Sequence, residues 1–181
     1  MSLLSYNALV GLVQEGVINA PLEHISGASI DITIGEDILI EKPMSQQPII
    51  DLKSKQSLEL RRHRIHSDGF RLYPGQFILA TSQETFNLPN DVACEYKLKS
   101  SLARSGLQHM LAGWCDPGWN NSKLTLEIKN VTQNHILLLK PGMKIGQIVF
   151  FECEPVPDEH SYANTGQYNG QDTVTENKGV R

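Results

Sequence analysis

The feature that most constrains this chain is alternation at a period of two. Val92, Cys94, Tyr96 and Leu98 alternate with Ala93, Glu95, Lys97 and Lys99, and Leu124, Leu126 and Ile128 alternate with Thr125, Glu127 and Lys129. That period belongs to a strand with one buried face. Residues 29–35 repeat it, with Ile30, Ile32 and Ile34 on one side. Phe70 and Leu72 lead into Pro74-Gly75, after which Phe77 and Leu79 follow; residues 136–139 meet Pro141-Gly142 before residues 145–151. Many short strands with regular turn signals predict an all-β sandwich or barrel. Two segments break the pattern. A short N-terminal helix is expected, capped by Ser5, with Leu9, Val10 and Val13 on its apolar face and an end at Glu15-Gly16. Residues 100–105 are helix-compatible, with Gly106 as a stop.

No linker or internal repeat divides the 181 residues, so one domain is expected over 1–181. From Pro155 the sequence turns polar and poor in large aliphatics, which predicts a flexible tail over 155–181, disordered or ordered only by a ligand. With 40% hydrophobic and 20% charged residues the composition is globular. A net charge of −4 argues against a broad nucleic-acid surface but leaves room for a small anion held by a few local cations. Cys94, Cys115 and Cys153 are few and far apart, as expected of free thiols in a reducing compartment. No basic leader and no long apolar run is seen, so the expectation is a soluble cytoplasmic protein that contacts no membrane.

Four groups of residues could carry chemistry. His63 and His66 lie in a basic stretch, Arg61 to Arg64, read here as a solvated loop. No cysteine stands near them and the chain has no C-x-x-C, so no zinc site is expected. In Lys99-Ser100-Ser101-Leu102-Ala103-Arg104, a helix starting near Ser100 offers free N–H groups to an anion, with Ser100 and Arg104 on one face. An ordinary capped helix with a surface arginine fits the same spacing. Asp116-Pro117-Gly118-Trp119 reads as a tight turn carrying an aspartate. Glu127 falls on the strand face opposite Leu124, Leu126 and Ile128. Periodicity allows either a solvent-facing carboxylate or one that lines a pocket and moves protons.

Taken in order, SSLAR-x-GL, AGW-x-DPGW, LTLEI-x-N and PGM-x-IGQ-x-x-F, with residues 27–31 through Gly35 and Leu72-x-Pro74-Gly75 upstream, resemble the dCTP deaminase family of the dUTPase-like trimers. The resemblance implies a mainly β fold, a distorted jelly-roll or β-clip barrel of the dUTPase-like type with a short N-terminal helix and a few small helices. It implies a homotrimer with active sites at subunit interfaces, Mg²⁺ carried by the nucleotide triphosphate, and no zinc. Carried over residue by residue, Glu127 is the acid/base that activates water for attack on cytosine C4. The Ser100 hydroxyl and the Ala112 carbonyl position that water and the leaving amine, and Arg104 orients Glu127. Lys99, Ser101 and Gln171 hold the triphosphate, Asp116 contacts the sugar region, Thr125 lies along the base and Tyr162 closes over the nucleotide. The family's tail pattern Lys-Tyr-x-x-Gln stands here as Gln167-Tyr168-Asn169-Gly170-Gln171, and Gln167 lacks the charge of that lysine.

The resemblance implies deamination of dCTP to dUTP and ammonia. Asp116 motivates an alternative, a bifunctional enzyme that also hydrolyses dUTP to dUMP and pyrophosphate. A dUTPase without deaminase activity is disfavoured by Glu127, and a non-catalytic nucleotide-binding β protein is a further alternative. The resemblance also implies dTTP as an inhibitor, acting through the segment between Arg104 and Asp116. That segment is one residue shorter than the family pattern and carries Leu111 where a smaller or polar residue is usual.

Overall fold

The computed structural model describes residues 2–53 and 56–179. In chain order these form β1 (Ser2–Leu3), α1 (Tyr6–Gln14), β2 (Ile30–Glu41), β3 (Leu60–Arg64), β4 (Phe70–Leu72), β5 (Phe77–Phe86), β6 (Val92–Leu98), α2 (Ser100–Arg104), β7 (Leu107–His109), β8 (Trp114–Cys115), β9 (Ser122–Asn130), β10 (Leu137–Leu139), β11 (Lys144–Glu152) and α3 (Tyr162–Thr165). The mainly β expectation is borne out.

Seven strands run in the order β7-β9-β5-β2-β11-β6-β8, with β1 beside β11 and β3 beside β2; β10 and β4 pair separately. Every pairing is antiparallel. β7 and β8 stand at opposite ends of that order, yet only residues 110–113 join them. Five residue steps span at most ~17 Å of extended chain. The sheet must therefore curl until its two ends approach each other. Register shifts in the β2–β5, β5–β9 and β2–β11 pairings supply bends of the kind that curl a sheet. The inner face carries the core, including Ile30, Ile32, Ile34, Ile78, Leu126, Ile128 and Phe150, all fully buried. Burying a side chain of this size stabilises the fold by roughly 1.5–3 kcal/mol.

Local expectations need three corrections. The Ser5 hydroxyl makes no capping bond to α1, and the helix buries Leu9 and Leu12 rather than Val10. The strand expected at residues 29–35 runs on to Glu41, because Ile38, Leu39 and Ile40 continue to find the core. The basic stretch Arg61 to Arg64 is no loop but β3, paired with β2 from Glu41↔Leu60 to Asp37↔Arg64. β3 pairs with no other strand. Arginines on such an edge discourage pairing with another chain, which is why its sequence reads as solvated.

Candidate active site

The seam where the curled sheet meets itself holds a cavity of about 600 Å³, a size suited to a small ligand. β9 supplies its floor. Burial along this strand alternates strictly, with Leu124, Leu126 and Ile128 in the core and Lys123, Thr125, Glu127 and Lys129 half-buried on the other face. Both Thr125 and Glu127 line the cavity. The ambiguity left by periodicity is thereby resolved: the second face of β9 is a pocket wall.

The opposite wall comes from residues 112–119. Ala112, Trp114, Asp116 and Trp119 line it. The Trp114 indole N–H donates to Asp116 Oδ1 at 2.8 Å, which fixes the carboxylate in the turn. Gly118 takes φ +84°, and a Cβ there would run into Ser161 Oγ. The turn thus needs glycine both for its backbone and to admit the C-terminal segment. Ser161 is buried, caps α3 through Ala163 N–H, and donates to Asn90 Oδ1 at 2.6 Å.

The C-terminal segment forms the third wall, with Tyr162, Tyr168, Gln171 and Thr175 lining the cavity. Lys123 N–H donates to the Gln171 carbonyl at 2.8 Å, and Gln171 Nε2 donates back to the Lys123 carbonyl at 2.7 Å. Burial, opposed by a backbone hydrogen bond from Tyr168, leaves the Tyr162 phenol above its ordinary value. Gln167 itself carries no charge, but Lys178 Nζ donates to the Gln167 carbonyl at 2.8 Å and sits 5.2 Å from the centre of the Tyr168 ring. A cation thus stands beside the position where the family pattern has a lysine.

Glu127 is the carboxylate that β9 brings to this cavity, which Asp116 and Glu176 also line. Its side chain is 26% exposed, and its inner oxygen Oε2 is buried without a hydrogen bond. His109 Nε2 lies 3.2 Å from Oε2 but is not aligned as a hydrogen bond. The structure therefore brings together Glu127, Ala112, Asp116, Thr125, Tyr162 and Gln171. Lys99, Ser100, Ser101, Arg104 and Gln167 do not line the cavity. Ser100, Ser101 and Arg104 are exposed on α2, and Arg104 forms no ion pair among the described residues.

Lys99 is not a free cation. Its Nζ donates to Asp31 Oδ1 at 2.5 Å, and Lys144 Nζ sits 2.9 Å from Asp31 Oδ2. Burial alone would raise the Asp31 carboxyl; the two ammonium groups outweigh it and hold it below its ordinary value. Two lysines on one nearly buried carboxylate leave an excess positive charge at the start of α2. Sequence reasoning missed Asp31 and Lys144, which are 113 positions apart and meet only through the β2–β11 pairing. It also missed His109, although burial alternates along Leu107–His109 as it does in the other strands.

No cluster of three or more His, Cys, Asp or Glu side chains is placed to hold a metal among the described residues. No helix among them is long and apolar enough to cross a membrane. A second cavity of about 590 Å³ is lined by Lys42, Met44, Leu58, Gln76, Phe77 and Lys129, and by none of Ala112, Asp116, Glu127, Tyr162 or Gln171.

Residues 3–153 match the family described as dCTP deaminase-like. The protein named "dCTP deaminase, dUMP-forming" from Methanosphaerula palustris is 34% identical over 148 residues, covering 81% of this chain and 77% of the relative. One of the same name from Beutenbergia cavernae is 45% identical over 108 residues, 58% of this chain and 55% of the relative. A third, from Methanothermobacter thermautotrophicus, is 32% identical over 182 residues, 94% and 90% of the two chains. Among solved structures, the 2'-deoxycytidine 5'-triphosphate deaminase from Agrobacterium tumefaciens superposes with a TM-score of 0.64 at 18% identity, over 82% of this chain and 47% of that one, which supports the fold. The curled β architecture, the acid-floored cavity and these matches lead to one conclusion: the chain belongs to the dCTP deaminase-like family.

Proposed function

We propose that this protein deaminates dCTP and hydrolyses the product onward, giving dUMP, ammonia and pyrophosphate. The observation that carries the reading is Glu127, half-buried on the cavity floor with Ala112 and Asp116 on the facing wall. The names of the relatives, all dUMP-forming, favour the bifunctional reading over release of dUTP.

In this reading Glu127 takes a proton from water as the water oxygen attacks cytosine C4. It then returns protons to the departing 4-amino group, which leaves as ammonia, and a C4 carbonyl remains. A positioned acid/base of this kind contributes ~10²–10⁴ in rate. The Ala112 carbonyl accepts from an amine but not from a carbonyl oxygen, so it separates cytosine from uracil. Thr125 lies along the base and Tyr162 covers it. Asp116 then activates a second water for cleavage between the α- and β-phosphates. Mg²⁺ arrives with the triphosphate as part of the substrate, held by phosphate oxygens.

Ser100, Ser101 and Arg104 do not line their own chain's cavity. Their exposure on α2 supports a site completed by a second copy of the chain, within a homotrimer, with Lys99, Ser101, Gln171 and Gln167 or its neighbour Lys178 around the triphosphate. The test is ammonia release from dCTP with Mg²⁺ by the wild type and by Glu127→Gln. Binding of dCTP should persist in the variant while release is lost; equal turnover would refute the assigned role.

A further inference from the structure

The carboxylate that the cavity presents has a second side, and that side is built from residues the reaction does not touch. Tyr96 is 3% exposed, and its hydroxyl is buried with no hydrogen-bond partner. The ring packs against His109 with centroids 4.6 Å apart, at a tilt of 59°. His109, 4% exposed, is the residue whose Nε2 stands 3.2 Å from Glu127 Oε2. Oε2 in turn is buried and without a hydrogen bond. Two unpartnered buried oxygens thus lie in one small cluster, which is uncommon in a folded interior.

The surrounding backbone holds Tyr96 in that place. Tyr96 N–H donates to the Gly113 carbonyl at 2.8 Å, next to Ala112 of the cavity wall. On the other side, Gly146 of β11 leaves the room that the phenol occupies; a Cβ at that position would overlap the ring and its hydroxyl. A phenylalanine would fill the same slot without burying an oxygen that lacks a partner. Stability alone therefore does not account for the hydroxyl.

We propose that Tyr96 is a positioning residue for Glu127: packed against His109, its buried hydroxyl closes off the rear of the carboxylate, so that protons enter and leave only through the oxygen that faces the cavity. Burial, and after it the negative charge of Glu127, push the Tyr96 phenol well above its ordinary value. The hydroxyl accordingly keeps its proton and is no competing base. A glutamate that exchanged protons at both oxygens would lose the geometry that delivers the proton to the leaving amine. This inference rests on the acid/base role assigned to Glu127 above.

The experiment compares wild type, Tyr96→Phe and Glu127→Gln in the full-length protein. It measures kcat and KM for ammonia release from dCTP, together with thermal melting. Tyr96→Phe is expected to melt no lower than wild type and to keep KM within about twofold. Its kcat should fall on the order of tenfold to a hundredfold, as for a misplaced catalytic group. If wild type and Glu127→Gln behave as assigned but Tyr96→Phe keeps the full kcat, the positioning role is overturned alone. A fall in kcat matched by a fall in melting temperature makes the hydroxyl structural and overturns it as well. A wild type that releases no ammonia sinks the functional reading and this inference together.

Discussion

Thr125 Oγ1 accepts the backbone N–H of Thr175 at 3.2 Å. The C-terminal segment is therefore laid along the strand face that carries Glu127, two residues further on. Its apolar contacts include Val174, packed on Leu39 and Leu79, and Tyr162, packed against the main core. In the proposed function such a segment acts as a lid on the nucleotide. Ending the chain after Pro157 should leave the far-ultraviolet circular dichroism unchanged and raise KM for dCTP by roughly tenfold, which corresponds to about 1.4 kcal/mol. An unchanged KM would show that the segment is no lid.

Arg104 and Glu127 should complement each other between chains. Arg104→Ala and Glu127→Gln are each expected to be inactive alone. Unfolded together and refolded as a mixture, they should recover about a quarter of wild-type activity, because in a symmetric assembly roughly that share of sites combines both intact residues. A mixture as inactive as its components would mean that each site is built within one chain.

The Asp31 cluster predicts an acid limb in stability. The folded carboxyl lies below its ordinary value of 3.8, so its contribution is present above that value and is lost as pH falls through the lower folded one. Wild-type stability to urea should drop on acidification below about pH 4. Asp31→Asn should lose roughly 1–3 kcal/mol at neutral pH, since a nearly buried charged hydrogen bond goes. It should also show a shallower slope in that acid range. Equal acid slopes in the two proteins would place the titration elsewhere.

Leu111 is 90% exposed and takes φ +64°, a left-handed conformation that a leucine adopts at a cost of about 1–2 kcal/mol. It lies in the short link that closes the curled sheet. Leu111→Gly should relieve that cost, less the ~0.5–1 kcal/mol of extra freedom that glycine has when unfolded. The expected gain in urea stability runs from nothing to about 1.5 kcal/mol. A loss would show that the side chain makes contacts that matter more than its backbone strain.

How much was legible beforehand depended on whether the signal was local. The alternation in β6 and β9, the two Pro-Gly turns and the helix at Ser100 were all readable, since each rests on neighbouring residues. Glu127 was found but not placed, because period two says only that it faces away from Leu126. Deciding that this face meets a wall required the β7–β8 link that curls the sheet. β3 was misread because its side chains are charged and its order comes from β2. Asp31, Lys144, Tyr96 and His109 carry no local motif. Their pairing arises from strand register and from the space left by Gly146, which no sequence window contains.

The most direct measurement is incubation of the purified protein with dCTP and Mg²⁺, followed by separation of dCTP, dUTP, dUMP and pyrophosphate with ammonia measured in parallel. The account predicts ammonia, dUMP and pyrophosphate in equal amounts, with no build-up of dUTP. Ammonia with dUTP as the end product and no pyrophosphate would contradict the hydrolytic half, and dCTP left intact would contradict the whole.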